Sequence, residues 1–506
     1  EQLGQAVNLR ALRDTIDTSM QEANAVLNEL VHDQFSGLGI KFEEATWDAA
    51  KKDLGKPKKR AMERADIEAQ TPLHWGYVFD DIMQRRGGFD IILANPPWEG
   101  FKPQAKEFFA PYSERISKKN MSIKDFEAEQ ARLLQDKDIR AAWLAYQSRF
   151  AHMSAYFRSA PDYQYQSAVV GGKRTGSDIN LYKLFTERCF ALLREGGHCG
   201  IVIPNGIYKD LGATGLRRML FDHTRVDSMI SLSNEKFLFE EVHHSFGLLF
   251  LNFVKGGTTE SLRATFRINP REAIAADAFS NFVGDDDNFI ELPAALIGAM
   301  NPETRSVLEF RSATDVAIVN KMLAFPALGK PMEGLWNVKL TNEFHMTNDS
   351  AAFKTSAAKG RLPLFTGRMF NQFELTSEHS GYWIDETDGR AVLLGKTPDT
   401  GQPMDYQGYR WLHRRIARST DTRTLISTIA PPGVFTEVNS TTLKVAESGI
   451  NAVEQCYWCA AANSFVLDWL LRQSVASTLN MFYLYQLPVP RLAATDPRCA
   501  SIARRV

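Results

Sequence analysis

Four consecutive residues, Asn95, Pro96, Pro97 and Trp98, have the types and order needed to grip a planar amino group. Asn95 supplies a side-chain carbonyl, Pro96 a backbone carbonyl with no N–H beside it, and Trp98 a broad apolar face. Two such oxygens accept the two N–H bonds of an exocyclic or amide nitrogen while the indole stacks on the attached ring. A nitrogen of that kind is a poor nucleophile because its lone pair is delocalised. Acceptors set out of its plane favour a tetrahedral nitrogen and aim the lone pair at an incoming methyl group. This is catalysis by positioning and electrostatics, without a covalent intermediate.

Such a loop must hang from a rigid edge. The run before it, residues 89–94, is apolar and of strand length, launched by Gly87-Gly88 and halted by the two prolines. That pattern predicts a buried parallel strand, and the ends of such strands are where open α/β sheets bind ligands. Further on, residues 177–193 have helical spacing with Ser177 or Asp178 as cap, Gly196-Gly197 is expected to end that helix, and 199–205 reads as the next buried strand. Residues 237–246 then lead into another apolar run, 247–254.

These words together carry a family likeness. Asn95-Pro96-Pro97-Trp98 resembles the catalytic loop of S-adenosylmethionine-dependent amino-methyltransferases, above all the gamma-class DNA adenine-N6 enzymes. The 72–80 segment (Pro-Leu-His-Trp-Gly-Tyr-Val-Phe-Asp), the helix, Gly-Gly and strand of 177–205, and the 237–246 segment resemble the large type IIG-like methylases of bacterial restriction-modification and phage-defence systems. The resemblance implies an α/β fold: a partial Rossmann-like methyltransferase domain with helical insertions, followed by a mixed α/β target-recognition domain. It implies S-adenosylmethionine as cofactor and double-stranded DNA as partner, with a flipped adenine held by Asn95 and Pro96, on a loop stiffened by Pro97, and sandwiched between Trp98 and Phe239. Phe237 is the fallback for Phe239. Asp178 and Asn180, with Tyr182, are implied to lie near the cofactor and target pocket. Two other readings stand beside this one: a methyltransferase acting on RNA or protein glutamine, which shares the loop, and a DNA-binding specificity or sensing subunit with an inactive methylase fold.

Composition sets the outer limits. The chain has 506 residues, enough for two or more domains, and 59 basic against 60 acidic residues leave any DNA site to local patches. Five cysteines, an odd and low number, argue for a reducing compartment, and without a long apolar span or signal pattern the expectation is a cytoplasmic protein with no membrane contact. His243-His244 lack a completing ligand set and Cys456/Cys459 lack a second pair, so no metal is expected.

The remaining segments divide as a helical lead-in over 1–70, the catalytic domain over 71–265 with a helical insertion at 101–165, a connecting region over 266–330, and the target-recognition domain over 331–495. A basic stretch at 51–60, the tyrosines Tyr163 and Tyr165, and the Gly-rich loop 171–176 are candidates for nucleic-acid contact, while His74 reads as a packed or capping residue. Residues 362–373 and 409–424 resemble the recognition region of the same methylases. Arg368, Arg410, Arg414, Arg415, Arg418 and Arg423 are its candidates for phosphate and guanine contact, with about half expected to touch DNA. No strand followed by a glycine-rich turn precedes Asn95. The cofactor-binding half is therefore expected upstream of Glu1 or on another chain.

Overall fold

A computed structural model describes residues 2–117, 121–170, 172–174, 178–240, 242–244, 246–268, 272–417, 421–475 and 478–506. Gly171, Thr175, Gly176, Ser177 and Arg418 lie outside the described residues. The chain forms two compact units, 1–307 and 308–506. No described helix is long and apolar enough to cross a membrane.

The first unit is built on a six-stranded mixed sheet. Its strands are β1 (Phe89–Ala94), β2 (Leu193–Pro204), β3 (Thr224–Ser233), β4 (Gly247–Lys255), β5 (Ser261–Arg267) and β6 (Ile290–Pro293), in the spatial order β6-β5-β3-β4-β2-β1. β1 and β2 are parallel, as are β3 and β5, while β4 runs antiparallel between β2 and β3. Helices α1 (Leu181–Leu192) and α2 (Thr214–His223) make the crossovers and pack on one face. This layer is mostly apolar inside: Leu193, Ile201, Ile203, Leu216, Met219, Leu220, Val226, Met229, Leu249 and Leu251 are buried, with Lys183, Glu187 and Arg217 buried among the helices.

β1 has the expected position and direction, but it is an edge strand and only half covered. Ile91 is 63% and Leu93 82% exposed, against the expectation of a buried strand. The reason is that on the second face the helix Phe279–Gly284 reaches Ile230 and Phe250, while among the described residues the side chains of Ile91 and Leu93 at the β1 end stay uncovered. An apolar run read from sequence says that a strand prefers two covered faces; it does not say what covers them.

The Gly-Gly pair also behaves differently from the reading. α1 ends at Leu192, and Gly196-Gly197 lie inside β2, where Phe89 pairs with Leu193 but Ile91 already pairs with His198. The extra residues form a bulge opposite Asp90, whose carboxylate accepts from Arg194 Nε at 2.6 Å and is held below the usual carboxylate range by it. Gly88, at φ +131°, sits against this bulge: a Cβ there would meet Arg194 N and Leu192 O at 2.5 Å. At Gly87, φ +75°, a Cβ would meet open space. Gly88→Ala is therefore expected to destabilise the unit by more than about 2 kcal/mol, and Gly87→Ala by about 1 kcal/mol, read by thermal unfolding.

Two other boundaries shift. The lead-in over 1–70 is a helix, Gln2–Gly37, followed by two short hairpins, Lys41–Glu44 with Lys58–Ala61 and Trp47–Asp48 with Asp53–Leu54. Within 266–330, β6 joins the main sheet and the unit boundary falls after Val307, so only part of that region is connection. The insertion at 101–165 is helical, and its aromatics are its core: Phe109, Phe126 and Trp143 are buried together. Tyr163 meets Phe157 edge to face and accepts from Arg188, and Tyr165 packs against Phe190 and His223, which leaves both in packing roles. In the basic stretch, Lys59 pairs with Glu43 and Arg60 with Asp66.

The second unit is mixed α/β. One four-stranded antiparallel sheet orders Leu340–Thr341, Ser440–Leu443, Arg410–Arg414 and Ser427–Ala430; another orders Phe353–Lys354, Trp383–Asp385, Arg361–Phe365 and Phe435–Thr436. Trp336, Trp411 and Trp458 are fully buried in it. Cys456 and Cys459 lie on the helix Ala452–Ala462, with Cys459 buried, in a packing role.

Candidate active site

The Asn95 loop leaves the C-terminal end of β1 as the sequence predicts. Asn95 and Pro97 are exposed, Pro96 is buried and Trp98 is half-buried. Trp98 Nε1 donates to Val202 O on β2 at 3.2 Å, which ties the indole to the neighbouring strand. Beyond Trp98 the chain is clipped to the start of α1: Phe101 N donates to Ile179 O at 2.7 Å, Leu181 N donates to Glu99 O at 2.9 Å, and Gly100 bridges Asn180. Asn180, rather than Ser177 or Asp178, is the cap residue of α1, and Asp178 is exposed with Lys102 3.9 Å away. Asp178 and Asn180 are thus beside the loop. Behind them, burial pushes the Tyr182 phenol up and the Lys183 ammonium down.

Phe239 comes to Trp98 from 141 residues later in the chain. The ring centroids are 6.0 Å apart at an interplanar angle of 69°, an edge-to-face contact. The structure brings the two predicted walls together, but with their rings touching; a purine between them requires the rings to turn parallel and separate. Phe237 is half exposed, with its ring 6.5 Å from His244. His74 caps the turn Trp75–Val78 and its Nε2 is 2.8 Å from Asn28 Oδ1, a packed residue as read.

A groove of about 520 Å³ opens beside Asn95, along the bare face of the sheet. It is lined by Leu93, Ala94, Asn95, Val202, Ile230, Phe250 and Asn252, with Phe279 and Val283 at its far side. Its polar groups are the two asparagine side chains and backbone; no lining residue is charged. Among the described residues, the donors that converge for a cation are those of Glu29, His32 and Asp33, within 4.8 Å. They lie on an exposed helix face where Arg64 is 3.7 Å from Glu29 and His32 Nε2 is bonded to Met62 O.

The arginines separate into two kinds. Arg410 is fully buried, and its guanidinium forks onto Glu343 and donates to Val434 O at 2.7 Å, so it cannot meet DNA. This corrects the sequence reading, which had no sight of a partner 67 residues away. Arg423 is largely enclosed: it donates to Asn463 O, lies 3.6 Å from Asp468, and stacks 4.6 Å over the exposed ring of Phe465. Arg414 is half-buried and donates to Phe370 O, and burial lowers its pKa; Arg415 Nη2 reaches Asn480 Oδ1 at 3.1 Å. Arg368 is exposed on the turn before the hairpin Phe370–Asn371 with Glu374–Leu375.

The residue that sequence reasoning missed is Asn234, at the end of β3, which is fully buried and bonds the loop carrying Phe239. A polar residue closing an apolar strand was its one signal.

Residues 154–239 match the model of the Eco57I restriction-modification methylase family. Over that stretch the chain is similar to restriction-modification methylases. That match spans α1, β2, α2, β3 and the Phe239 loop, the part of the sheet that faces the Asn95 loop. Solved structures similar to this chain include the type IIG restriction endonuclease BpuSI (12% identity, TM-score 0.30, covering 82% of this chain and 48% of that one). The type IIL enzyme MmeI in complex with DNA is 12% identical, with a TM-score of 0.38, covering 85% and 50%. A nuclease-deletion mutant of the type ISP enzyme LlaGI with a DNA substrate mimic is 11% identical, with a TM-score of 0.39, covering 85% and 42%. The chain spans about half the length of these proteins or less. Among curated proteins, none matches the chain.

Proposed function

We propose that this methylase transfers a methyl group to the N6 amino group of an adenine flipped out of duplex DNA, within a restriction-modification or phage-defence system. The observation that carries the reading is the Asn95 loop, exposed at a sheet edge with Trp98 and Phe239 meeting beside it. Flipping costs a few kcal/mol of unstacking, which ring contacts with Trp98 and Phe239 offset. Asn95 Oδ1 and the Pro96 carbonyl accept the two N–H bonds. The nitrogen pyramidalises, its lone pair is aimed, and after attack its proton leaves to solvent. The Trp98–Val202 bond keeps one wall fixed while the Phe239 side chain yields.

S-adenosylmethionine, when bound, supplies the electrophilic methyl carbon. The groove beside Asn95 offers no carboxylate for ribose hydroxyls and no charged partner for an amino-acid moiety. The acceptor half of the chemistry is what this chain provides. The free edge of β1, with Ile91 and Leu93 bare, is the place for a further strand and helix carrying the cofactor half. Covering those two side chains is worth roughly 1.5–3 kcal/mol each. Asp178 and Asn180 stand beside the loop they would share with it.

On the DNA side we assign Arg368, Arg414 and Arg415 to the contact surface, with Arg423 contributing through its stack on Phe465, and Arg410 to the interior. The deciding measurement is mass spectrometry of nucleosides from unmethylated duplex DNA treated with the intact methylase and S-adenosylmethionine. N6-methyl-2′-deoxyadenosine is expected. Methylation of RNA or glutamine alone, or tight DNA binding with no methylated base, turns the assignment to one of the other two readings.

A further inference from the structure

Phe239 sits on a loop whose backbone is held by a single side chain. Asn234 follows β3 and is wholly buried. Its Oδ1 accepts from Phe239 N at 3.0 Å, and its Nδ2 donates to Phe239 O at 3.0 Å and to Val242 O at 2.8 Å. Its own backbone joins in: Asn234 N donates to Phe246 O at 3.1 Å and Asn234 O accepts from Phe237 N at 2.8 Å. Phe237 is drawn into a left-handed conformation, φ +52°, inside the same tie. One amide thus fixes both the N–H and the C=O of the residue that bears the second ring.

Each ring of the pair is therefore anchored to a different strand of one sheet, Trp98 through Val202 on β2 and Phe239 through Asn234 at the end of β3. With the Phe239 backbone fixed, the edge-to-face contact opens by rotation of the phenyl side chain alone. We infer that Asn234 is a positioning residue: it sets the height of Phe239 against Trp98, so that rotating the ring yields a slot of defined width. This rests on the reading that Trp98 and Phe239 form the two walls for the transferred base.

The test uses the intact methylase, unmethylated genomic duplex DNA and tritiated S-adenosylmethionine, with Asn234→Ala, Phe239→Ala and the double variant. Asn234→Ala is expected to lower kcat/KM for DNA roughly 10- to 100-fold with cofactor affinity unchanged, as a misplaced wall does. In the Phe239→Ala background the same change is expected to cost less than about twofold, because the two act as one unit. Full additivity overturns the inference. A Phe239→Ala protein as active as the wild type instead sinks the slot reading itself, which keeps the two failures apart. Hydrogen exchange supplies a readout without turnover: amides of the 237–246 loop lose protection in Asn234→Ala while those of β3 and β4 keep it, and unchanged loop protection counts against the inference. If Asn234→Ala does not fold, Asn234→Asp is read by the same measurements, since it keeps the acceptor for Phe239 N–H and loses both donated bonds.

Discussion

Replacing Asn95 by alanine is expected to lower methyl transfer at least about 10²- to 10³-fold, the usual consequence of deleting one preorganised polar group from the reacting centre. The fold should not register the change. Asn95 is exposed at the end of β1, and the elements around it are held by Trp98 on Val202 and by the 99–101 clip onto 179–181. The unfolding free energy of Asn95→Ala is expected within about 0.5 kcal/mol of wild type, as for other surface positions without special contacts. Asn95→Asp is the informative companion: it retains an oxygen acceptor but places a charge where a neutral carbonyl stood. Its activity is expected between the two. A fully active Asn95→Ala protein removes the amino-group grip from the chemistry, whatever the DNA affinity.

Arg410→Met is expected to do the opposite, damaging stability far more than DNA contact. The Arg410–Glu343 pair is sealed, with side-chain exposures of 0% and 4%, and Glu343 also accepts from Thr436 N at 2.8 Å and Thr436 Oγ1 at 2.9 Å. Removing the guanidinium leaves a buried carboxylate without its counter-charge, which costs about 3–5 kcal/mol. For a unit of this size that is roughly 10 °C in thermal midpoint. Adding Glu343→Gln is expected to restore part of the loss, because the amide carbonyl still serves Thr436 while the unpaired charge is gone. Unchanged melting with weakened DNA binding would place Arg410 at the interface after all.

These two residues mark what the sequence made legible. The place of Asn95 was readable because it is set locally: the glycines, the apolar run and the two prolines lie within a dozen positions and dictate strand, exit and loop. The placement of Phe239 beside Trp98 was legible only through the family resemblance, and α1 through its periodicity. Arg410 was not, because with Arg414, Arg415 and Arg418 close by it reads as part of an exposed basic stretch until Glu343 is brought beside it by pairing between distant strands. Asn234 was hidden for a similar reason: its partners are backbone atoms of a loop whose shape no side-chain pattern records. The covering of β1 was the third blind spot, since burial of a strand face depends on elements elsewhere in the chain.

The bare edge of β1 has a consequence for how such a polypeptide must be handled. An unpaired row of backbone donors and acceptors next to exposed Ile91 and Leu93 is a template for intermolecular strand addition. With that edge uncapped, this unit at high concentration would recruit a second copy into a continuous ribbon. Its aggregation and its demand on chaperones would both ease once that edge is occupied.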